Sequence, residues 1–227
     1  MAKTTAIRLT HPAAARLRDD ILAERRALSR ALSIEADWRF HDGPEWASRY
    51  WAAFGDLQPG AVARADHEVA EQLAERAGWP VLTGGEAADA RAMFRGLLAL
   101  MHPQVRPEAA YDMRAQQWPM VLRAYRAGDV VALRDCLART QGLTATPDQG
   151  ADIRRLRVEL QRLVQARAAV DRRLAELSQR FPYCLRDRLA DADWIRRQRL
   201  ALRQIRVMTA PPGTPLPAHG HPRKQVS

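Results

Sequence analysis

From Pro12 the apolar residues Leu17, Ile21, Leu22, Leu28 and Leu32 fall largely on one helical face, predicting an amphipathic helix that ends near Asp37. His41-Asp42-Gly43-Pro44 should break it, with Pro44 in the first turn of a second helix. Trp46, Tyr50, Trp51 and Phe54 then form an aromatic stripe, expected to be core packed on the first helix. Pro59-Gly60 interrupts, and a third helix is predicted over 61–77 with Val62, Val69 and Leu73 on one side, ended by Gly78-Trp79-Pro80. Residues 81–85 read as a short loop. The helix after it, 87–101, starts beside Glu86 and Asp89, whose charge suits the positive end of the helix dipole. It carries Met93, Phe94, Leu97, Leu98 and Met101 and stops at His102-Pro103. Pro107 starts a further helix through Tyr111, Trp118, Val121, Leu122 and Tyr125, with a kink or break expected at Pro119, which lacks an amide hydrogen. Gly128 ends that run, and Asp129 caps a last short helix, 130–139.

Beyond residue 150 the pattern changes to a heptad. Ile153, Leu156, Leu160, Leu163, Val170, Leu174 and Leu177 step by threes, fours and sevens, with Arg167 the one seam position that is not apolar. Phe181-Pro182-Tyr183 interrupts the pattern before a second amphipathic stretch with Leu185, Leu189, Trp194, Ile195, Leu202 and Ile205. A short connection between two such helices predicts an antiparallel coiled-coil hairpin; the other arrangement open to the seam is a coiled coil between two chains, hence a homodimer. The chain therefore reads as all-α, with helices over 1–80, a helical module over 85–140, a linker over 141–150, a basic coiled-coil hairpin over 151–207 and a disordered proline-rich tail over 208–227.

Composition agrees with this reading. Much of the 47% apolar share is alanine, and strong β-formers are scarce. No run of about 18 apolar residues and no secretory leader is visible, so a cytoplasmic protein without membrane attachment is expected. The net charge of +10 changes the picture more, because of where it sits. Residues 1–150 carry 19 basic and 19 acidic residues, whereas 151–207 carry 15 basic and 7 acidic. An anionic partner should meet that C-terminal part first. Arg154, Arg155, Arg157, Arg172, Arg173, Arg196, Arg197 and Arg199 are its candidate basic surface.

Catalytic spacings are missing. The chain has no phosphate-binding glycine loop, no G-x-G-x-x-G, no G-x-S-x-G and no H-E-x-x-H. Cys136 and Cys184 are isolated, which argues against a disulfide scaffold or a zinc site, and Cys136 reads as a structural thiol. His219 and His221 in the tail read as solvated residues. Asp187, Asp191 and Asp193, and likewise Glu68, Glu71 and Glu75, read as ion-pair decoration of helix surfaces. No catalytic residue, metal or cofactor is expected.

One local order of residues is more informative. Leu98-Ala99-Leu100-Met101-His102-Pro103, followed by Val121-Leu122-Arg123-Ala124-Tyr125-Arg126-Ala127-Gly128-Asp129, resembles the middle of divergent bacterial J-domain-like proteins, the DnaJ-type family. Tyr50-Trp51-Ala52-Ala53-Phe54-Gly55 resembles that family's N-terminal helices, and Phe181-Pro182-Tyr183-Cys184-Leu185 with Asp193-Trp194-Ile195 its C-terminal hairpin. The likeness spans most of residues 45–206. It implies two antiparallel helices flanking a loop that touches a DnaK-type ATPase through His102, Pro103 and Gln104, helped by Arg91 and Arg95 on the preceding helix. Gln104 stands where the family has aspartate, so the carboxylate that would form charge-assisted bonds is missing. His102-Pro103 also serves as a plain helix stop, with histidine at the negative end of the dipole. The expectation is thus a non-catalytic J-like scaffold that binds protein partners, a DnaK-type chaperone among them, without stimulating its ATPase. The alternative expectation is a nucleic-acid-binding protein that uses the basic C-terminal hairpin.

Overall fold

The computed structural model describes residues 12–57, 82–107, 113–140 and 152–209. Among these residues there is no strand, and the class is all-α. In chain order the elements are α1 (Pro12–Asp37), a π-helical turn (Trp38–Asp42), α2 (Gly43–Phe54), a 3-10 turn (Gly55–Leu57), α3 (Gly84–Met101), α4 (Met113–Ala127), α5 (Val130–Arg139), α6 (Ile153–Ser178), 3-10 turns at Tyr183–Leu185 and Arg188–Ala190, and α7 (Ala192–Thr209). The helix expected over 61–77, the linker over 141–150 and the tail beyond residue 209 lie outside the described residues.

The two longest helices, α1 and α6, are each 26 residues, about 39 Å at 1.5 Å per residue. They pack on one another along their length. Three ion pairs join them: Arg25 with Glu159, Glu24 with Arg167 and Glu35 with Arg173. The partners are 134, 143 and 138 residues apart, nearly a constant offset, so the helices run parallel. Parallel neighbours need a long crossover, and residues 38–152 supply it.

This corrects the expected C-terminal hairpin. The heptad seam of α6 faces α1, not α7: Leu156, Leu163 and Val170 are buried in one cluster with Ile21, Leu28 and Leu32. Burying such a side chain contributes about 1.5–3 kcal/mol, so the seam goes to the longest complementary apolar face, which α1 provides. The expected separate unit over 151–207 is likewise replaced by a shared core, since the same cluster contains Phe94, Leu98, Val121, Tyr125 and Leu133. The all-α class itself stands.

Against this pair lie α3, α4 and α5. The Arg91 side chain meets Asp37, at the end of α1, and the Gln104 carbonyl meets Arg162, in the middle of α6, so α3 runs antiparallel to both long helices. Between α3 and α4, Phe94 stacks on Tyr125 with centroids 3.8 Å apart, and His102 meets Trp118 edge-on at 4.7 Å. These are antiparallel neighbours. Of the kink or break expected at Pro119, the break does not occur: α4 runs through it. Pro119 is exposed, and its missing amide hydrogen costs the helix one ladder bond without ending it. Gly128 adopts φ +68° with the Leu82 side chain against it, and Asp129 accepts from the Ala132 amide to start α5.

A second, smaller cluster sits at the far end of α1. The expected break at His41-Asp42-Gly43-Pro44 is instead a π-helical turn that carries α1 into α2 with helical backbone at both joins. Gly43 makes this possible, because a Cβ there would come within 2.4 Å of the Trp38 carbonyl and 2.8 Å of the Tyr183 ring. The aromatic stripe of α2 packs mainly on the 181–194 segment, not on α1. Tyr50 meets Phe181 at 5.0 Å, Phe54 meets Trp194 at 5.8 Å, and Trp46 meets Tyr183 at 6.0 Å. The sequence 181–191 is thereby bound to α2 as two 3-10 turns, and α7 follows the same helix.

Candidate functional site

The His102-Pro103-Gln104 loop is built from the start of α3 outward. Thr83 caps α3 in a reciprocal box, its hydroxyl accepting from the Glu86 amide while Glu86 accepts from the Thr83 amide at 2.8 Å. This signal was legible in the sequence, Thr83-x-x-Glu86, and moves the helix start to Gly84 from the expected Ala87. The other end stops as expected. His102 has extended backbone and ends α3; its carbonyl accepts from the Val105 and Arg106 amides, folding the Pro103-Gln104 turn.

His102 points inward. Its Nδ1 accepts from the Gln104 amide at 3.2 Å, and burial, with the nearby Arg173 charge, holds its pKa down at about 4 although Glu35 pulls the other way. The ring is neutral at physiological pH. Gln104 is exposed, but its carbonyl accepts from Arg162 Nη1 at 2.7 Å. The loop is thus braced by α6 of the same chain.

The two arginines assigned to the J-like face divide. Arg91 reaches back over α1, with Nε 3.3 Å from Asp37 and Nη2 3.3 Å from Asp42. Arg95 is exposed, and its Nε donates to the Arg91 carbonyl. Sequence reasoning missed the group that Arg91 joins. Tyr125 donates its hydroxyl to Asp37, and His41 Nε2 donates to the Tyr125 carbonyl at 3.0 Å. Burial raises the Tyr125 hydroxyl far above its ordinary range, and the hydrogen bond to Asp37 adds to this. Burial also raises Asp42, opposed by Arg91 and assisted by the charges of Asp37 and Glu45. The group bolts α4 to the end of α1.

The basic surface divides in the same manner. Along α6, arginines on the flanks toward α1 are paired. Arg173 binds Glu35 through both nitrogens at 2.9 and 2.8 Å, and Arg167, the seam anomaly, binds Glu24 at 2.8 Å. Burial alone would raise the Glu35 pKa, but hydrogen bonds and charge from Arg173 and then Arg39 lower it. On α7, Arg199 binds Asp56 and the Ala53 carbonyl, Arg196 meets Asp193, and Arg197 lies 3.9 Å from Asp191. Arg154, Arg155, Arg157 and Arg172 are exposed, and the structure gives none of them an acidic partner among the described residues. The first two line a shallow depression of about 450 Å³ with Asp152, Val158 and Glu159. Its carboxylates are engaged, Asp152 capping α6 and Glu159 binding Arg25 and Arg162.

Among the described residues no three metal-ligating side chains come together, and no helix is long and apolar enough to cross a membrane. Cys136 is half-buried against the core and Cys184 is exposed, both as free thiols. The chain matches no protein-family model, no curated protein and no solved structure.

Proposed function

We propose that this chain is a non-catalytic interaction protein: a helical scaffold in which a J-like helix-loop-helix is turned inward as a brace and does not stimulate a DnaK-type ATPase. The observation that carries the reading is the use of the loop within the chain. Arg91 spans Asp37 and Asp42, Arg162 holds the Gln104 carbonyl, and His102 lies neutral against Trp118. A partner that needed these groups would have to displace ion pairs and unpack a ring, at a cost of several hydrogen bonds. The module keeps the geometry of two antiparallel helices while its loop chemistry serves the bundle.

The test is the ATPase rate of a DnaK-type chaperone with and without the full chain. We expect no change, with wild type and His102→Gln indistinguishable. A severalfold stimulation abolished by His102→Gln would replace this reading with an active co-chaperone.

A further inference from the structure

We propose that the outward face of α6 binds the phosphate backbone of a nucleic acid without sequence selectivity. The inference rests on reading the chain as an interaction protein and names the partner. Its basis is the sorting of arginines around one helix. Arg162, Arg167 and Arg173 flank the buried seam and meet Glu159, Glu24 and Glu35. Arg154, Arg157, Gln161, Gln165 and Arg172 step along the opposite face at helical spacing, all exposed. Ala168 continues the line. A scattering of arginines for solubility alone would leave acids among them, as on α7, where Asp191 and Asp193 sit beside Arg197 and Arg196. On α6 the exposed carboxylate within this span, Asp171, is held at 3.3 Å by Arg167.

The stripe extends about 27 Å, with a donor near each turn of the helix for its first three turns. Arginine and glutamine are both donors to phosphate oxygens, and a guanidinium binds them in a fork. The chemistry fits a linear polyanion better than a membrane surface. A helix lying in a lipid interface needs a broad apolar face, and that of α6 is already buried against α1. On the outward side the exposed large apolar residues are Val158 and Val164 alone among those described for α6. Nothing along the stripe offers aromatic stacking or a helix end aimed at base edges, so backbone contact without sequence reading follows.

The experiment is fluorescence anisotropy of a labelled 20-nucleotide single-stranded RNA and of duplex DNA of the same sequence, titrated with the full chain at 50 and 200 mM salt. The test variant is Arg154→Glu/Arg157→Glu/Arg172→Glu. The control, Arg123→Glu/Arg134→Glu/Arg139→Glu, makes the same charge change at exposed positions of α4 and α5. Thermal melts establish that both variants fold. We expect the α6 variant to weaken binding about tenfold or more and to reduce the salt slope by about 2, with the control changing affinity far less. Retention by one probe and not the other identifies the nucleic acid. No binding of either probe at 50 mM salt overturns the proposal, as does equal loss in the two variants, or binding of phosphatidylserine vesicles in place of both probes. The chaperone ATPase reads the scaffold role separately, so either reading can fail while the other stands.

Discussion

Taken out of water beside Trp118, the His102 imidazole holds its proton weakly, with a pKa of about 4 against an ordinary 6.5. The unfolded chain therefore binds this proton more readily than the folded one, and stability falls as pH drops from 6.5 toward 4. Allowing for the partial exposure of the ring, the fold should be about 1–2 kcal/mol less stable at pH 5 than at pH 7.5 from this group. Asparagine retains an acceptor near the Nδ1 position but cannot be protonated, so His102→Asn should flatten that part of the profile. Urea unfolding at the two pH values measures it. A second residue is decided by space. Gly43→Ala places a methyl group 2.4 Å from the Trp38 carbonyl and 2.8 Å from Tyr183, and should cost about 2 kcal/mol or more despite alanine's better helix propensity. Gly84→Ala meets nothing within 4 Å and should change stability by less than about 0.5 kcal/mol. Denaturation midpoints of the two variants compare them directly.

At the scale of elements, the Glu35–Arg173 pair tests the parallel packing of α1 and α6. The carboxylate is buried and accepts from two nitrogens of a partly exposed guanidinium, so a cycle of Glu35→Gln and Arg173→Gln should give a coupling of about 1 kcal/mol. Arg172 lies one residue away on the outward face, and Arg172→Gln should stay within about 0.5 kcal/mol of wild type. Urea titrations of the four proteins measure both. Much of this level is legible from sequence. The period of the apolar residues gives α1, α3, α5 and α6 nearly to their ends, and Asp129 and Thr83 cap as their residue types require. The partner of α6 is not legible, because a heptad seam specifies an apolar stripe and says nothing of which stripe meets it. Only the misfit at Arg167 pointed elsewhere: an arginine in the seam needs an acid from the facing helix, and Glu24 of α1 provides it. For the candidate site, the same limit applies. The sequence names His102, Arg91 and Gln104, but Asp37 lies 54 residues from Arg91, Arg162 lies 58 from Gln104, and Tyr125 lies 88 from the Asp37 it binds, so only folding decides that they absorb the loop's polar groups.

At the scale of the molecule, α6 is the element that joins both clusters. Its seam is core to the bundle of α1, α3, α4 and α5, and its end leads directly into Phe181 and Tyr183, which hold α2 and the π-helical turn. A defect at the middle of α6 should therefore be felt at both ends of the chain. Leu163 is completely buried, and Leu163→Ala should cost about 3–5 kcal/mol through lost burial and the cavity left behind. Trp38, Trp46, Trp51 and Trp194 stand in the aromatic cluster, away from Leu163, so tryptophan fluorescence reports chiefly that end while far-UV circular dichroism reports the helices as a whole. Because the two clusters share one continuous helix and the ion pairs along it, the expected result is that both signals lose stability together, with coincident melting curves in wild type and variant. If the fluorescence transition held its midpoint while the dichroism transition fell, the aromatic cluster would be a separate cooperative unit and α6 a tether between the two.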